Sequence, residues 1–194
     1  MAGRPKIFDS ADVLVKAREV FRQKGYEATS TVDLQEAMGI GKGSFYQEFK
    51  GGKREVFEKA ITLFSKGLHQ RLENRLMTSE HPIDEIKTVF RELTGARVED
   101  HLKGCFVGNT LVEMTCVDEG LGNMASGLLQ QSEALFCKAL HRAQELGQLD
   151  KAEDPEVLAR CLLTYWNGFN LTRRMYPQQK SLVPMVERML KILP

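Results

Sequence analysis

The sequence predicts an all-α fold. Apolar residues recur at three- and four-residue spacing along most of the chain, and glycine and proline mostly fall where those patterns stop. No run of alternating apolar and polar residues bounded by turn signals is present to make a strand. The periodicity amounts to about nine helices with no internal repeat.

The first helix is expected over residues 10–24, where Leu14, Ala17, Val20 and Phe21 share a face, Asp9 or Ser10 supplies a cap and Gly25 ends the pattern. A short helix over 31–38 follows, with Leu34 and Ala37 three apart and Gly39 as its terminator. After Ile40 and Gly41 another short helix places Phe45 and Phe49 four apart on its apolar side. Leu14, Phe21, Leu34, Phe45 and Phe49 are the expected core of this N-terminal unit. A long pattern then runs from Lys53 through Val56, Ala60, Leu63, Phe64, Leu68, Leu72 and Leu76, crossing Gly67 without a break. It links the head to the remainder as a rigid lever.

Ser79 and Pro82 signal the next start, with Ile83, Ile86, Phe90 and Leu93 as its stripe up to about Gly95. Residues 104–114 are helix-compatible but rich in small and polar side chains. A helix over about 122–146 carries Leu128, Leu135, Phe136, Ala139, Leu140, Ala143 and Leu146, and Gly147 stops it. Asp154 and Pro155 open a further long helix through Leu158, Leu162, Tyr165, Trp166, Phe169 and Met175, ended by Pro177. The last helix, over about 182–193, presents Val186, Met189, Leu190 and Leu193.

Two short helices joined by a glycine-containing turn make a helix-turn-helix, whose second helix enters the major groove by its N-terminal part. Here that part offers Lys42, Gly43, Ser44, Tyr46 and Gln47, with Glu48 as the one acid before Phe49. These side chains donate hydrogen bonds, stack or carry positive charge, which suits phosphates and base edges. Gly43 lets the backbone approach a phosphate. Lys53, at the start of the next helix, adds a charge beside free amides. Read without further context, the same residues also suit an αα-hairpin in a helical protein-interaction module. Duplex binding with steep salt dependence separates the two readings.

Thr29-Ser30, Asp33-Leu34, Ala37, Gly39-Ile40, Lys42-Gly43-Ser44-Phe45-Tyr46, Phe49 and Gly52-Lys53 together resemble the DNA-binding domain of the TetR family of bacterial transcriptional regulators. Gly41 stands where the family often has serine and is left out of the contact set, and Gly51-Gly52 is the longer form of the turn before the lysine. The resemblance implies a helix-turn-helix domain over 1–54, contacting double-stranded DNA through Thr31, Lys42, Gly43, Ser44, Tyr46, Gln47 and Lys53. It implies an effector-sensing and dimerisation domain over 55–194, and a homodimer joined by the last two helices so that two heads meet a palindromic operator. A repressor released by a small molecule or by thiol modification is the expected function.

Composition agrees with a globular regulator without identifying one. The 194 residues are 42% hydrophobic and 27% charged, and the net charge of +1 is a weak argument for nucleic acid. Arg4 and Lys6 form a candidate N-terminal arm. No apolar run reaches the roughly 20 residues of a membrane span and no secretory leader is evident, so a cytoplasmic protein without membrane contact is expected. No glycine-rich phosphate loop, His-Glu-x-x-His or Gly-x-Ser-x-Gly motif indicates an enzyme, and no cofactor is called for. The four cysteines, 105, 116, 137 and 161, include no Cys-x-x-Cys and no zinc-type spacing with His69, His81, His101 or His141, so no metal site is expected and the thiols are read as reduced.

For the sensing half, Phe90, Phe106, Asn109, Glu113, Met114, Tyr165, Trp166, Phe169 and Met175 supply aromatic, soft and polar groups of the kind that line effector pockets. Cys105 follows Gly104 at a helix start, near His101 and Lys103, where amides and the helix dipole favour a thiolate that reacts with electrophiles or oxidants. A bulky adduct, or a bond to Cys116, would push neighbouring helices apart. Cys137 and Cys161 are read as core.

Overall fold

The computed structural model describes residues 9–194, so the proposed arm of Arg4 and Lys6 lies outside the described residues. Among them no strand occurs. Helices α1 (Ser10–Lys24), α2 (Thr31–Met38), α3 (Lys42–Glu48) and α4 (Gly52–Thr78) are followed by α5 (Pro82–Thr94), α6 (Val98–Lys103) and α7 (Phe106–Met114). Then come α8 (Glu119–Glu145), α9 (Pro155–Met175) and α10 (Gln179–Met189), closed by a 3₁₀ turn. The helix beyond the expected set is α6, whose six residues are too short to show a period.

Most boundaries follow local chemistry. Asp9 caps α1 through Ala11 N–H at 2.7 Å, and Asp154 accepts from the amides of Glu156 and Val157 while Pro155 occupies the first turn of α9. Asp118 caps α8 through Leu121 N–H at 3.0 Å, which moves its start ahead of the expected residue 122. Gly39 adopts φ 70°, ψ 32° and returns its amide to the carbonyls of α2, the left-handed stop expected there.

Two apolar clusters form the interior. One joins Leu72 and Leu76 of α4, Ile86 and Phe90 of α5, Phe136 and Leu140 of α8, Leu162 and Phe169 of α9, and Leu182 and Val186 of α10. The other runs from the head, through Phe21, Leu34, Phe45, Phe49 and Phe57, into Phe106 and Met114 of α7 and Leu121 and Ala125 of α8. In the head, Val13 and Ala17 occupy the buried face of α1 while Leu14 packs at its margin, a rotation from the expected set. The head therefore shares its core with α7 and α8.

Leu182 and Val186 of α10, with Leu190 and Leu193 just beyond it, are buried within the chain. A stripe of exposed apolar surface runs along α9. Val157, Cys161, Thr164, Gly168, Leu171 and Met175 recur at alternating four- and three-residue steps, with Val157 53%, Leu171 64% and Met175 66% exposed.

Candidate DNA-reading head and thiol pocket

The helix-turn-helix is fixed by hydrogen bonds that the sequence pattern encodes. Thr29 is buried and its hydroxyl donates to the Gly25 carbonyl at 2.6 Å. Ser30 Oγ accepts from Asp33 N–H at 3.1 Å while Asp33 accepts from Ser30 N–H at 2.8 Å, a reciprocal capping box. Lys24 bonds the same carboxylate at 2.6 Å. Lys24 first, then Ser30, hold the Asp33 carboxyl well below the usual range. Phe45 and Phe49 are buried, so the opposite side of α3 faces solvent.

That solvent face carries Lys42, Gly43, Ser44, Tyr46 and Gln47, all exposed, so the structure brings five of the expected contact residues together. Tyr46 is braced edge-on by Phe45, with ring centroids 5.2 Å apart. A Cβ built on Gly43 would meet nothing within 4 Å, so the fold itself has no need of glycine there. Thr31 opens α2 and is half-buried. Lys53 is differently engaged. Its ammonium donates to the Tyr26 carbonyl at 3.1 Å and lies 4.3 Å from the centre of the Tyr26 ring, which ties α4 to the α1–α2 turn.

The head is also held from the sensing side by two carboxylates that bracket the end of α7. Glu113 accepts from the amides of Tyr26 and Glu27 at 3.0 and 2.9 Å. Asp118 pairs with Arg54, two residues into α4, and the Arg54 hydrogen bond is the main reason its carboxyl titrates below the usual range. Phe106 at the other end of α7 packs edge-on against Phe57 and Phe64 of α4. Glu113 is thus a clamp between head and body, and with Phe106 and Asn109 it also lines a cavity of about 400 Å³ between the α1–α2 turn and α7.

Cys105 is the N-cap of α7, and its Sγ accepts from Gly108 N–H at 3.3 Å. It borders a cavity of about 480 Å³ with Gly108, Asn109, Asn167 and Arg174 in the wall. Asn167 Oδ1 and Arg174 Nε are buried without a hydrogen-bond partner among the described residues. Arg173, from the last turn of α9, donates to the Gly104 carbonyl at 2.9 Å, and Arg174 to that of Lys103 at 2.6 Å. Burial pushes the Arg173 guanidinium down, and Cys105 heads the groups that draw it back up. Arg174 thus lines the cavity beside the thiol, and Arg173 holds the loop in front of it.

Cys116 lies beyond the far end of α7. At about 1.5 Å of rise per residue the helix holds the two cysteines roughly 15 Å apart, far beyond the roughly 7 Å a disulfide allows. The expected Cys105–Cys116 bond does not fit this geometry unless α7 unwinds.

The other expected pocket residues are spread over the cavities, the core and the surface. Asn109 reaches the Cys105 cavity, and its amide donates to the Lys103 carbonyl at 2.9 Å. Trp166 borders a separate cavity of about 230 Å³ between α4, α5 and α8, and touches Phe90 edge-on at 5.9 Å. Phe90, Phe106, Phe169 and Met114 are buried core, Tyr165 packs against the core and Met175 is exposed on α9. Arg54, Asp118, Arg173 and Arg174 escaped the sequence reading. Their partners lie 64 to 71 residues away, so no local spacing marks them.

This geometry defines a class, a helix-turn-helix transcriptional regulator with a helical C-terminal body. A family model described as bacterial regulatory proteins, tetR family, matches residues 13–60, and one described as tetracyclin repressor-like, C-terminal domain, matches residues 82–188. The chain belongs to the TetR family and is a DNA-binding transcriptional regulator. The uncharacterized HTH-type transcriptional regulator YezE of Bacillus subtilis (strain 168) is 33% identical over 171 residues, covering 88% of this chain and 86% of that protein. The HTH-type transcriptional repressor ComR of Escherichia coli (strain K12) is 26% identical over 194 residues, covering 99% and 92%. A cysteine mutant of the TetR family regulator CifR, solved in complex with 26bp double-strand operator DNA, superposes with a TM-score of 0.87 at 26% identity, covering 99% of this chain and 100% of that one. The reduced form of E. coli NemR shares the fold with a TM-score of 0.81 at 20% identity, covering 95% and 96%. The family is one of DNA-binding regulators rather than enzymes, and no helix among the described residues is long and apolar enough to cross a membrane.

Proposed function

We propose that this protein is a homodimeric repressor that holds a palindromic operator through α3 and is released when a small electrophile or oxidant modifies Cys105. Residues 1–54 act as the reading head and 55–194 as the sensing and dimerising body. Thr31 and the exposed side of α3, from Lys42 to Gln47, meet phosphates and base edges, while Lys53 steadies the head. The observation that carries the reading is the wiring of α7, with Cys105 at its N-terminus and Glu113 near its C-terminus holding the amides of the head. With a Michael acceptor, the bond from Sγ to the β-carbon forms as the alkene π bond breaks, and the thiol proton ends on the α-carbon by way of solvent. The adduct must occupy the cavity beside Gly108 and Asn167. That shifts α7 against α4 and moves Glu113, so the two heads lose the spacing of the half-sites. The unpartnered Asn167 and Arg174 atoms equally suit a polar ligand that binds there without a covalent bond.

The test is operator affinity by fluorescence anisotropy at fixed salt, on duplexes that the protein has selected from a fragment pool. N-ethylmaleimide is expected to weaken wild-type binding by about 5- to 150-fold. Cys105→Ser should bind as tightly and resist the reagent, and Cys116→Ser should respond as the wild type does. Equal loss in wild type and Cys105→Ser would remove Cys105 as the sensor, and failure to select any duplex would favour a protein-interaction module.

A further inference from the structure

We infer that Cys137, His141 and Glu156 form a binding site for a borderline-soft divalent cation of the zinc type, separate from the Cys105 pocket. Cys137 and His141 are one turn apart on the same face of α8, and Glu156 comes from the first turn of α9. The thiol sulfur, an imidazole nitrogen and a carboxylate oxygen all lie within 4.8 Å of one another. His141 Nε2 is already 3.2 Å from Glu156 Oε1.

Ligand atoms on a tetrahedral zinc ion stand roughly 3.3–3.8 Å apart, given bonds of about 2.0–2.3 Å. His141 and Glu156 are at that separation, and the thiol closes the remaining distance by a side-chain adjustment of about an ångström. Sulfur, nitrogen and oxygen donors from three residues leave a fourth position for water, a set that suits zinc better than magnesium or calcium. The His141–Glu156 ion pair thus has a thiol within 4.8 Å as a third donor. Cys137 packs against the core on one side, which fixes its position, while His141 and Glu156 are exposed and give an ion access. Glu133 and Asp154 add negative charge around Cys137.

Metal binding here requires the thiol to lose its proton, which passes to solvent as the sulfur–metal bond forms. The bound ion would clip α8 to the start of α9, whose other end holds the Cys105 loop through Arg173 and Arg174. It is therefore a second input to the sensing body, and it stands whether or not Cys105 is the sensor. The sequence pattern hides it because only Cys137 and His141 are local, and the third ligand arrives across the α8–α9 turn.

The experiment titrates reduced, metal-stripped full-length protein with Co²⁺, following the thiolate-to-cobalt charge-transfer band, and then with Zn²⁺ against a chromophoric chelator. One ion per chain is expected in the wild type and equally in the Cys105→Ser/Cys116→Ser double variant. Cys137→Ser should lose the charge-transfer band. His141→Ala and Glu156→Gln, both at exposed positions, should keep the far-ultraviolet circular dichroism and bind about tenfold or more weakly. A wild type that binds no cobalt overturns the inference, as does a band that survives Cys137→Ser or an affinity unchanged in both His141→Ala and Glu156→Gln.

Discussion

Gly43 is a place where the needs of the fold and of the proposed operator contact can be told apart. It lies in the first turn of α3, and beyond its chain neighbours and the local helix backbone a Cβ there would meet nothing within 4 Å. Glycine in a helix costs about 0.5–1 kcal/mol relative to alanine, so Gly43→Ala is expected to raise the urea midpoint slightly while weakening operator binding. A variant with unchanged DNA affinity would show that no phosphate approaches this backbone. His101 poses a different question, because burial first, and then Arg173, push its pKa below the usual value. The unfolded chain then takes up a proton near pH 6.5 that the folded chain refuses, so the stability held above that pH is lost as the pH falls. Burial lowers His69 in the same direction. The urea midpoint should therefore drop between about pH 7.5 and 5.5, and the slope should flatten in a His69→Gln/His101→Gln double variant. A slope that survives both substitutions would assign the effect to other groups.

At the scale of the element, α7 is the part whose role most exceeds its nine residues. Its helical pattern and the cysteine at its start are legible in the sequence, because both are local. Its tie to the head is not, since Glu113 reaches amides 86 and 87 residues away. Side-chain type alone places Glu113 among pocket residues, and only the packing of α7 against the head shows that its carboxylate is engaged. Removing that clamp should cost on the order of 1–3 kcal/mol in folding, the usual penalty for losing a charged acceptor of backbone amides. The more informative effect is on coupling. In Glu113→Ala the ratio of operator affinities before and after N-ethylmaleimide should approach one, although Cys105 still reacts, as followed by intact mass. A ratio equal to that of the wild type would show that the signal passes instead through Arg54 and Asp118 or through Phe106.

For the whole molecule, the all-α class, the head and the capping residues could be read from spacing, since each is set within a few neighbours along the chain. The surface left for a second copy could not, because apolar periodicity shows that a face is buried without showing what buries it. Leu182, Val186, Leu190 and Leu193 of the C-terminal segment turn inward, whereas the Val157–Met175 stripe of α9 is exposed at Val157, Leu171 and Met175. A stripe at alternating four- and three-residue steps suits a helix packed against its own symmetry mate, and Gly168 and Thr164 at its middle permit close approach. The same stripe borders the Cys105 cavity through Thr164, Gly168 and Leu171, so a second copy seated there would also roof the thiol. Val157 and Met175 stand outside that cavity wall, which lets the interface be tested without touching the pocket. Val157→Glu/Met175→Glu is expected to sediment as a monomer with unaltered helical circular dichroism. Operator binding should then weaken far more than a change of a single phosphate contact would cause, because each head meets its half-site without the other. Thiol modification should have little left to release. If the double variant remains a dimer, the subunits meet elsewhere, and the exposed stripe of α9 must be covered by a different partner.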